Sequence, residues 1–538
     1  MFLAKVFLSA VAAGLAYVLW RIASRLIRPA FSPLRNLPGP PNPSLLLGHA
    51  KQLMKGDSGE QVGQWAEQYG HVFKFKLPLN SDRLVILDTK AIHHILSHSY
   101  DYPKPEGAHR SLSRIFGAGL ILVEGMVLLN PAFGPVHLRG MTSIFFDKAT
   151  QLRDIWLSQL PASGEPVKLD ALGWLSKVAL DIIGLAGFGY DFEALISDRK
   201  PNELNEAFDT VLHGGPPANS LRSILQLFTG FGWLEPAERR RQIQEARRTL
   251  DRIGRQLLEE RKNAVRESMS GAEKLEKRAF QGRDLLSLLV KANMAEDIPE
   301  RERLTDAQVL AQVPTFVIAG HDSTSTGHTW CLYALSLNQS AQSKLRSEIH
   351  SVSSDTPSME ELNNLPYLDA VVRETMRVHP PVPMTVRVAT KDDVIPLNKP
   401  FVNRKGTEQS TFAIAKGENI TLPIDLIGRS KDIWGDDAEE FRPERWLSHD
   451  IPEAATSVPG IWGNSLAFLG GPRACIGYRF SVLETKAIIF TIIRAFEVEL
   501  AVPKEDVGKR SIMVTKPLLL SDPTKGNQLP LLVRAVKQ

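Results

Sequence analysis

Phe468-Leu469-Gly470-Gly471-Pro472-Arg473-Ala474-Cys475-Ile476-Gly477 carries more information than any other segment of this 538-residue chain. Its pattern is F-x-x-G-x-R-x-C-x-G. Average residue usage would produce those five fixed positions by chance roughly once in ten thousand chains of this length, so the run is read as functional. The chain has two cysteines, Cys331 and Cys475. Two cannot build a disulfide scaffold or a four-cysteine cluster, which leaves a single thiolate on a metal ion open. Gly471 and Gly477 let the backbone pass close to a flat cofactor without a Cβ clash. Arg473 offers the bidentate fork that suits a carboxylate. Backbone N–H groups beside the sulfur would tune its donor strength. The plain alternative is a buried, inert cysteine in a glycine loop. Cys331, in the apolar helical run Trp330-Cys331-Leu332-Tyr333-Ala334-Leu335, reads as a core residue of that kind.

Four further groups of residues precede this loop. Ala319-Gly320-His321-Asp322-Ser323-Thr324 lies inside an apolar helical pattern from Ala307 to about Leu337, with Pro314 placed to kink it. Glu374-Thr375-Met376-Arg377 puts an acid and a base on one helix face at i, i+3. It follows a capping box at Ser358-Met359-Glu360-Glu361. Phe441-Arg442-Pro443-Glu444-Arg445-Trp446 comes next, and His379-Pro380-Pro381-Val382-Pro383 forms a stiff turn before Arg387.

In this order the motifs resemble those of the cytochromes P450, over roughly Leu37 to Val533. The resemblance implies a mainly α fold with small β-sheets in one large domain. It implies heme b as cofactor, with Cys475 as the thiolate ligand of the iron, pushing electron density toward it. Phe468, Gly471, Arg473 and Gly477 belong to the heme-binding loop, and Arg473 and Arg387 are matched to the heme carboxylates. Ala319-Gly320 matches the small-residue step of the central helix, where Gly320 would open space for O2 and a water. Asp322, Ser323 and Thr324 match its acid–hydroxyl proton relay. Serine stands where threonine is usual; it retains the hydroxyl and loses the stiffness of a β-branched side chain. Glu374, Arg377 and Arg445 match a buried triad that fixes the approach to the cysteine loop. Val382 to Val386 would line a substrate pocket. His321 and Asp322 are also a pair of metal-ligand types, but a metal site needs more ligands.

Composition agrees with a globular body. Apolar residues make up 43% of the chain and net charge is +4, which gives no reason to expect nucleic acid. The arginines at 239–241, 247 and 248 alternate with acids and leucines, as on a solvated helix face. Val6 to Trp20 is an uncharged apolar run, short for a span by itself but sufficient with Met1 to Ala4 and a snorkelling Lys5. A cleaved signal peptide is the other reading of that run. Arg21, Arg25 and Arg28 follow it and place that side in the cytosol. The expected organisation is a membrane anchor over 1–28, a proline-rich hinge over 29–43 and a heme-thiolate domain over 44–538, facing the cytosol from the endoplasmic reticulum membrane.

The resemblance departs at one place. Relatives carry a basic W-x-x-x-R or H-x-x-x-R stretch between positions matching Glu124-Gly125 and Leu129-Asn130-Pro131-Ala132-Phe133; here only Met126, Val127 and Leu128 intervene. That stretch usually gives a heme-carboxylate ligand and part of the face that receives a reductase. The leading expectation is a membrane-bound monooxygenase resembling fungal members. It would insert one oxygen atom of O2 into a lipophilic, terpenoid-like substrate. Electrons would come from NADPH through NADPH-cytochrome P450 reductase, with cytochrome b5 as a second donor. Two alternatives stay open: a reductase-independent rearrangement enzyme, and a heme-deficient inactive member made so by the shortened segment. A nicotinamide dehydrogenase is excluded, because no G-x-G-x-x-G follows an early strand.

Overall fold

The structure, a computed structural model, describes residues 2–54, 58–109, 113, 133–196, 203, 206–207, 210, 237–269, 284–294, 304–448, 450–511 and 513–536. The longer helices are α1 (Phe2–Phe31), α2 (Thr89–Ser97), α3 (Pro135–Gln159), α4 (Ala171–Phe188), α5 (Ala237–Met269), α6 (Asp306–Leu337), α7 (Gln339–His350), α8 (Pro366–Val378) and α9 (Tyr478–Ala495). The strands are β1 (Val72–Leu77), β2 (Ser81–Ile86), β3 (Val167–Asp170), β4 (Thr385–Val388), β5 (Asp393–Val402), β6 (Glu408–Ile414), β7 (Asn419–Leu422), β8 (Phe496–Leu500), β9 (Val507–Ser511), β10 (Thr515–Leu519) and β11 (Pro530–Ala535). The expected mainly helical fold with small sheets is what forms.

α6 is the axis. Thr305 caps its start in a reciprocal box with Gln308, satisfying two backbone donors at once. The helix runs on through Pro314, so the proline does not end it. It is buried on almost every side from Thr324 to Ser336, within a core shared with α3, α4, α5 and α9. A helix apolar all round belongs in the interior of a large domain. α5 is its opposite: Ala246, Leu250, Ile253 and Leu257 are buried, while Arg240, Arg241, Arg247 and Arg248 face solvent, as the charge alternation predicts.

A second core lies around a four-stranded sheet of order β1-β2-β7-β4. β2 and β7 are parallel, and both outer pairs are antiparallel. β5–β6 and β9–β10 form separate hairpins, and β3-β11-β8 closes the chain's end. This second sheet core holds β4, and with it Arg387, at a fixed place between the two cores.

The proline-rich stretch is more firmly held than a free spacer. Lys74 donates its N–H to Pro38 O at 3.0 Å, and a Cβ on Gly39 would lie 1.9 Å from Lys74 O, so the stretch is seated on β1. Leu34 and Leu37 are buried ahead of it. α1 spans 30 residues, about 45 Å at helical rise, and presents Phe7, Leu19, Trp20 and Ile27 to the outside. Among the described residues one helix meets the length and hydropathy expected of a span, Ala171–Phe188, and it is 72% buried as the core helix α4.

Candidate active site

Cys475 sits three residues ahead of α9, whose first turn carries the positive end of an 18-residue helix dipole. Its N–H donates to Phe468 O at 2.9 Å, closing the loop on itself. The Phe468 ring is buried and held edge-on by Trp462 at 5.6 Å. The Cys475 side chain is exposed, yet protein surrounds it closely enough that burial pushes its thiol up to about 11, against a lowering contribution from the Gly477 N–H. An atom exposed yet so closely surrounded by protein is what the wall of an enclosed chamber presents.

The two loop glycines have different reasons. Gly471 has φ +70°, and a Cβ there would lie 2.4 Å from Leu96 O in α2. Its glycine is required by the protein's own backbone, not by approach to a cofactor as expected. Gly477 has no such conflict; a Cβ there would meet only Phe133 at 3.7 Å. That contact is an ordinary one, so a Cβ there would not disturb the protein itself. Phe133 also packs edge-on against Phe316 of α6, with ring centroids 5.9 Å apart, and so joins the cysteine loop to the central helix.

On α6, Ala319 is exposed although Phe316, Val317 and Ile318 before it are buried. The opening is therefore at Ala319. Gly320 serves another purpose than the one expected: a Cβ there would lie 2.7 Å from Ile183 Cδ1, so the glycine admits α4. His321 shares a 2.8 Å hydrogen bond with Ser176 of α4, and among the described residues no group of three metal-ligand side chains exists. Ser323 Oγ donates to Ala319 O at 2.5 Å. Asp322 forms an ion pair with Lys516 of β10. Thr324 departs from its neighbours: it is buried, its hydroxyl donates back to Gly320 O, and it lies beside Glu484 of α9. Glu484 lies 4.0 Å from His328, and both side chains are fully buried. Burial raises the Glu484 carboxyl well above its usual range and lowers His328 to about 3, so the pair is neutral.

Three cations gather beside the chamber. Arg387 is buried on β4, its Nη1 donating to Thr385 Oγ1 at 2.5 Å and Val386 O at 2.8 Å. The next residue, Val388, donates its N–H to Pro103 O at 2.9 Å, which brings Lys104 alongside. Arg473 lies over the Tyr100 ring of the same segment, 5.7 Å from its centroid. Burial, then the charges of Arg387 and Arg473, holds Lys104 down at about 8; burial and Arg473 hold Arg387 at about 10. No carboxylate of the described residues contributes to either shift. An open thiol, a bare alanine on the facing helix and a cation cluster that lowers its own pKa values fit an iron-bearing, flat, dianionic macrocycle. Lys104 was not foreseen from the sequence; its partner is Arg387, 283 positions later.

Glu374, Arg377 and Arg445 come together in one buried cluster. The Glu374 carboxylate accepts from Arg377 Nε at 2.9 Å and Nη2 at 2.8 Å, and from Arg445 Nε at 2.9 Å. It also accepts from the Trp446 indole N–H at 2.9 Å and the Arg442 N–H at 2.9 Å. Arg377 Nη1 donates onward to Gly428 O and Ala438 O at 2.6 and 2.5 Å. All three side chains are at most 1% exposed. The capping box at Ser358 is present as well. The shortened stretch after Gly125 lies outside the described residues, Phe133 apart.

Comparison with known proteins agrees with this geometry. The family model described as Cytochrome P450 matches residues 38–525. Cytochrome P450 monooxygenase 205 of Postia placenta is 47% identical, with 98% of this chain and 98% of that protein aligned. Cytochrome P450 monooxygenase 128 of the same fungus is 46% identical over 97% of this chain and 96% of its own length. Cytochrome P450 monooxygenase claP of Ampulloclitocybe clavipes is 35% identical over 97% and 96%.

Proposed function

This chain belongs to the cytochrome P450 family, with monooxygenase activity and a thiolate-ligated heme iron as cofactor, and on that premise we propose that it is a membrane-anchored monooxygenase acting on a lipophilic small molecule. The heme supplies the oxygen chemistry: substrate, O2, NADPH and one proton give hydroxylated substrate, water and NADP+. The observation that carries the reading is the open Cys475 thiol on the chamber wall, with Ala319 exposed on the helix that Phe133 joins to its loop.

The residues divide the work. Cys475 holds the iron, with the Gly477 N–H moderating the sulfur. Arg387, Arg473 and Lys104 take the two heme carboxylates, which supports heme retention despite the shortened stretch and argues against a heme-deficient member. Asp322 and Ser323 pass protons toward the chamber; Thr324, turned to Glu484, supports the helix from behind. Val382 and Val386, half-buried beside β4, face the substrate. The acid–hydroxyl pair favours oxygen chemistry over a reductase-independent rearrangement.

Electrons come from NADPH-cytochrome P450 reductase, cytochrome b5 being a second donor. A groove of about 680 Å³ supports its docking: Trp462 and Tyr478 of the cysteine-loop region line it beside the exposed Arg479. The outward-facing apolar residues of α1 support a single anchor in the endoplasmic reticulum membrane. The fungal relatives support a specialised metabolite, terpenoid or similar, as substrate.

The test is reconstitution of the full chain with reductase, NADPH and 18O2 over a panel of lipophilic compounds. One labelled oxygen atom in a product, dependent on NADPH, is expected. Conversion without NADPH or reductase would favour rearrangement chemistry.

A further inference from the structure

Asp322 is held by a residue that no part of the central helix supplies. Lys516, 194 positions later on β10, pairs its ammonium with Asp322 Oδ1. The two side chains are 12% and 16% exposed. Lys516 has little freedom, because its neighbour Thr515 is fixed on three sides. The Thr515 N–H donates to Pro381 O at 2.8 Å. Its carbonyl accepts the Trp330 indole N–H at 2.7 Å. Its hydroxyl shares a 2.8 Å hydrogen bond with Ser511 across the hairpin. Trp330 is two turns along α6 from Asp322, so the same helix that carries the acid also anchors the strand that carries the base. Ser323 meanwhile spends its hydroxyl on Ala319 O. Among the described residues it is the β9–β10 hairpin, through Lys516, that holds the Asp322 carboxylate.

We propose that Lys516 is the positioning residue for the proton-delivering acid: docked by Thr515 and Trp330, it fixes the Asp322 carboxylate beside Ser323. This rests on the assignment of Asp322 to proton delivery. A carboxylate so little exposed, deprived of the cation paired with it, would turn toward whatever donor or water it can reach. Arginine can hold a carboxylate in the same way; a neutral side chain cannot.

The experiment uses the full-length heme-loaded enzyme with its reductase and no added substrate, and reads hydrogen peroxide released per NADPH consumed. In that setting O2 leaves either as peroxide, at one NADPH, or as water, at two, and proton delivery decides the ratio. Lys516→Met is expected to change the ratio about fivefold, the factor that an ion pair at the upper end of partly exposed pairs supports. Lys516→Arg is expected to restore the wild-type ratio. Lys516→Met added to Asp322→Asn is expected to change nothing further, because both act through one carboxylate. A carbon-monoxide difference spectrum confirms loaded heme in each variant, and Lys516→Gln replaces Lys516→Met if the latter does not load. A wild-type ratio in Lys516→Met, or effects that multiply in the double variant, would overturn the proposal while leaving Asp322 in its role. A wild-type ratio in Asp322→Asn would overturn the acid assignment and the proposal with it.

Discussion

Replacing Glu374 by alanine removes five hydrogen bonds at once and leaves the guanidinium groups of Arg377 and Arg445, 0% and 1% exposed, without the carboxylate they share. Arg445 keeps Asp437 at 3.1 Å; Arg377 keeps carbonyl oxygens and the face of the Trp434 ring, and no carboxylate among the described residues. Removing one partner of a buried charge network costs about 3–5 kcal/mol. Domains have about 5–15 kcal/mol in hand, so the variant folds but with much of its margin gone. For a domain this large, about 4 kcal/mol corresponds to a fall in Tm of about 5 °C. The larger effect is local. Arg442, Arg445 and Trp446 lead into the cysteine loop, and losing their common anchor frees the loop that carries Cys475. The assay is heme per polypeptide after purification, with thermal unfolding of the same sample. Glu374→Ala is expected to retain little heme and Glu374→Gln, which keeps the volume and one acceptor, an intermediate amount. Full heme occupancy with unchanged Tm in Glu374→Ala would refute the reasoning.

Other outcomes follow from the same geometry. Gly471→Ala, at φ +70° and 2.4 Å from Leu96 O, should lower stability with or without heme, whereas Gly477→Ala should fold normally and lose only heme uptake, as thermal unfolding and heme titration would show. His328 neutral in the fold favours the native state less as pH falls below its ordinary value, and Glu484 neutral in the fold does so as pH rises above its own; between about pH 4.5 and 6.5 the two slopes cancel. Glu484→Gln therefore should lose stability relative to wild type as pH falls across that window, by up to about 1.4 kcal/mol per pH unit, and parallel Tm profiles would contradict the neutral pair. Ser323→Thr, with a stiffer side chain above Ala319, should release less peroxide per electron consumed; an unchanged yield would remove Ser323 from the relay.

The cysteine loop and the Glu374–Arg377 pair were legible because each is written in short local spacing, five residues in ten or i, i+3 on one helix face; Arg445, 71 positions from Glu374, was placed with them only through the family resemblance. α6 could be read from its apolar length, and its limits came out nearly right because Thr305 and Gln308 form a local cap. What could not be read depends on distant chain segments. Lys104 and Lys516 acquire their meaning from Arg387 and Asp322, which lie far away along the chain. Gly320 and Gly471 were rightly marked as glycines that matter, for the wrong neighbour: Ile183 and Leu96 O fill the space expected to belong to the cofactor and its oxygen. Thr324 illustrates the same limit, since one residue of helix rotation separates a chamber wall from a buried contact with Glu484. The proline-rich stretch, a spacer by composition, is seated by Lys74, His49 and Arg404 through bonds that no composition records.

The most direct test of the account is a carbon-monoxide difference spectrum of dithionite-reduced membranes expressing this sequence, beside Cys475→Ala. A thiolate-type Soret band present in the wild type and absent from the variant is predicted. A wild type with no heme band, or one typical of ligation without thiolate, would contradict it.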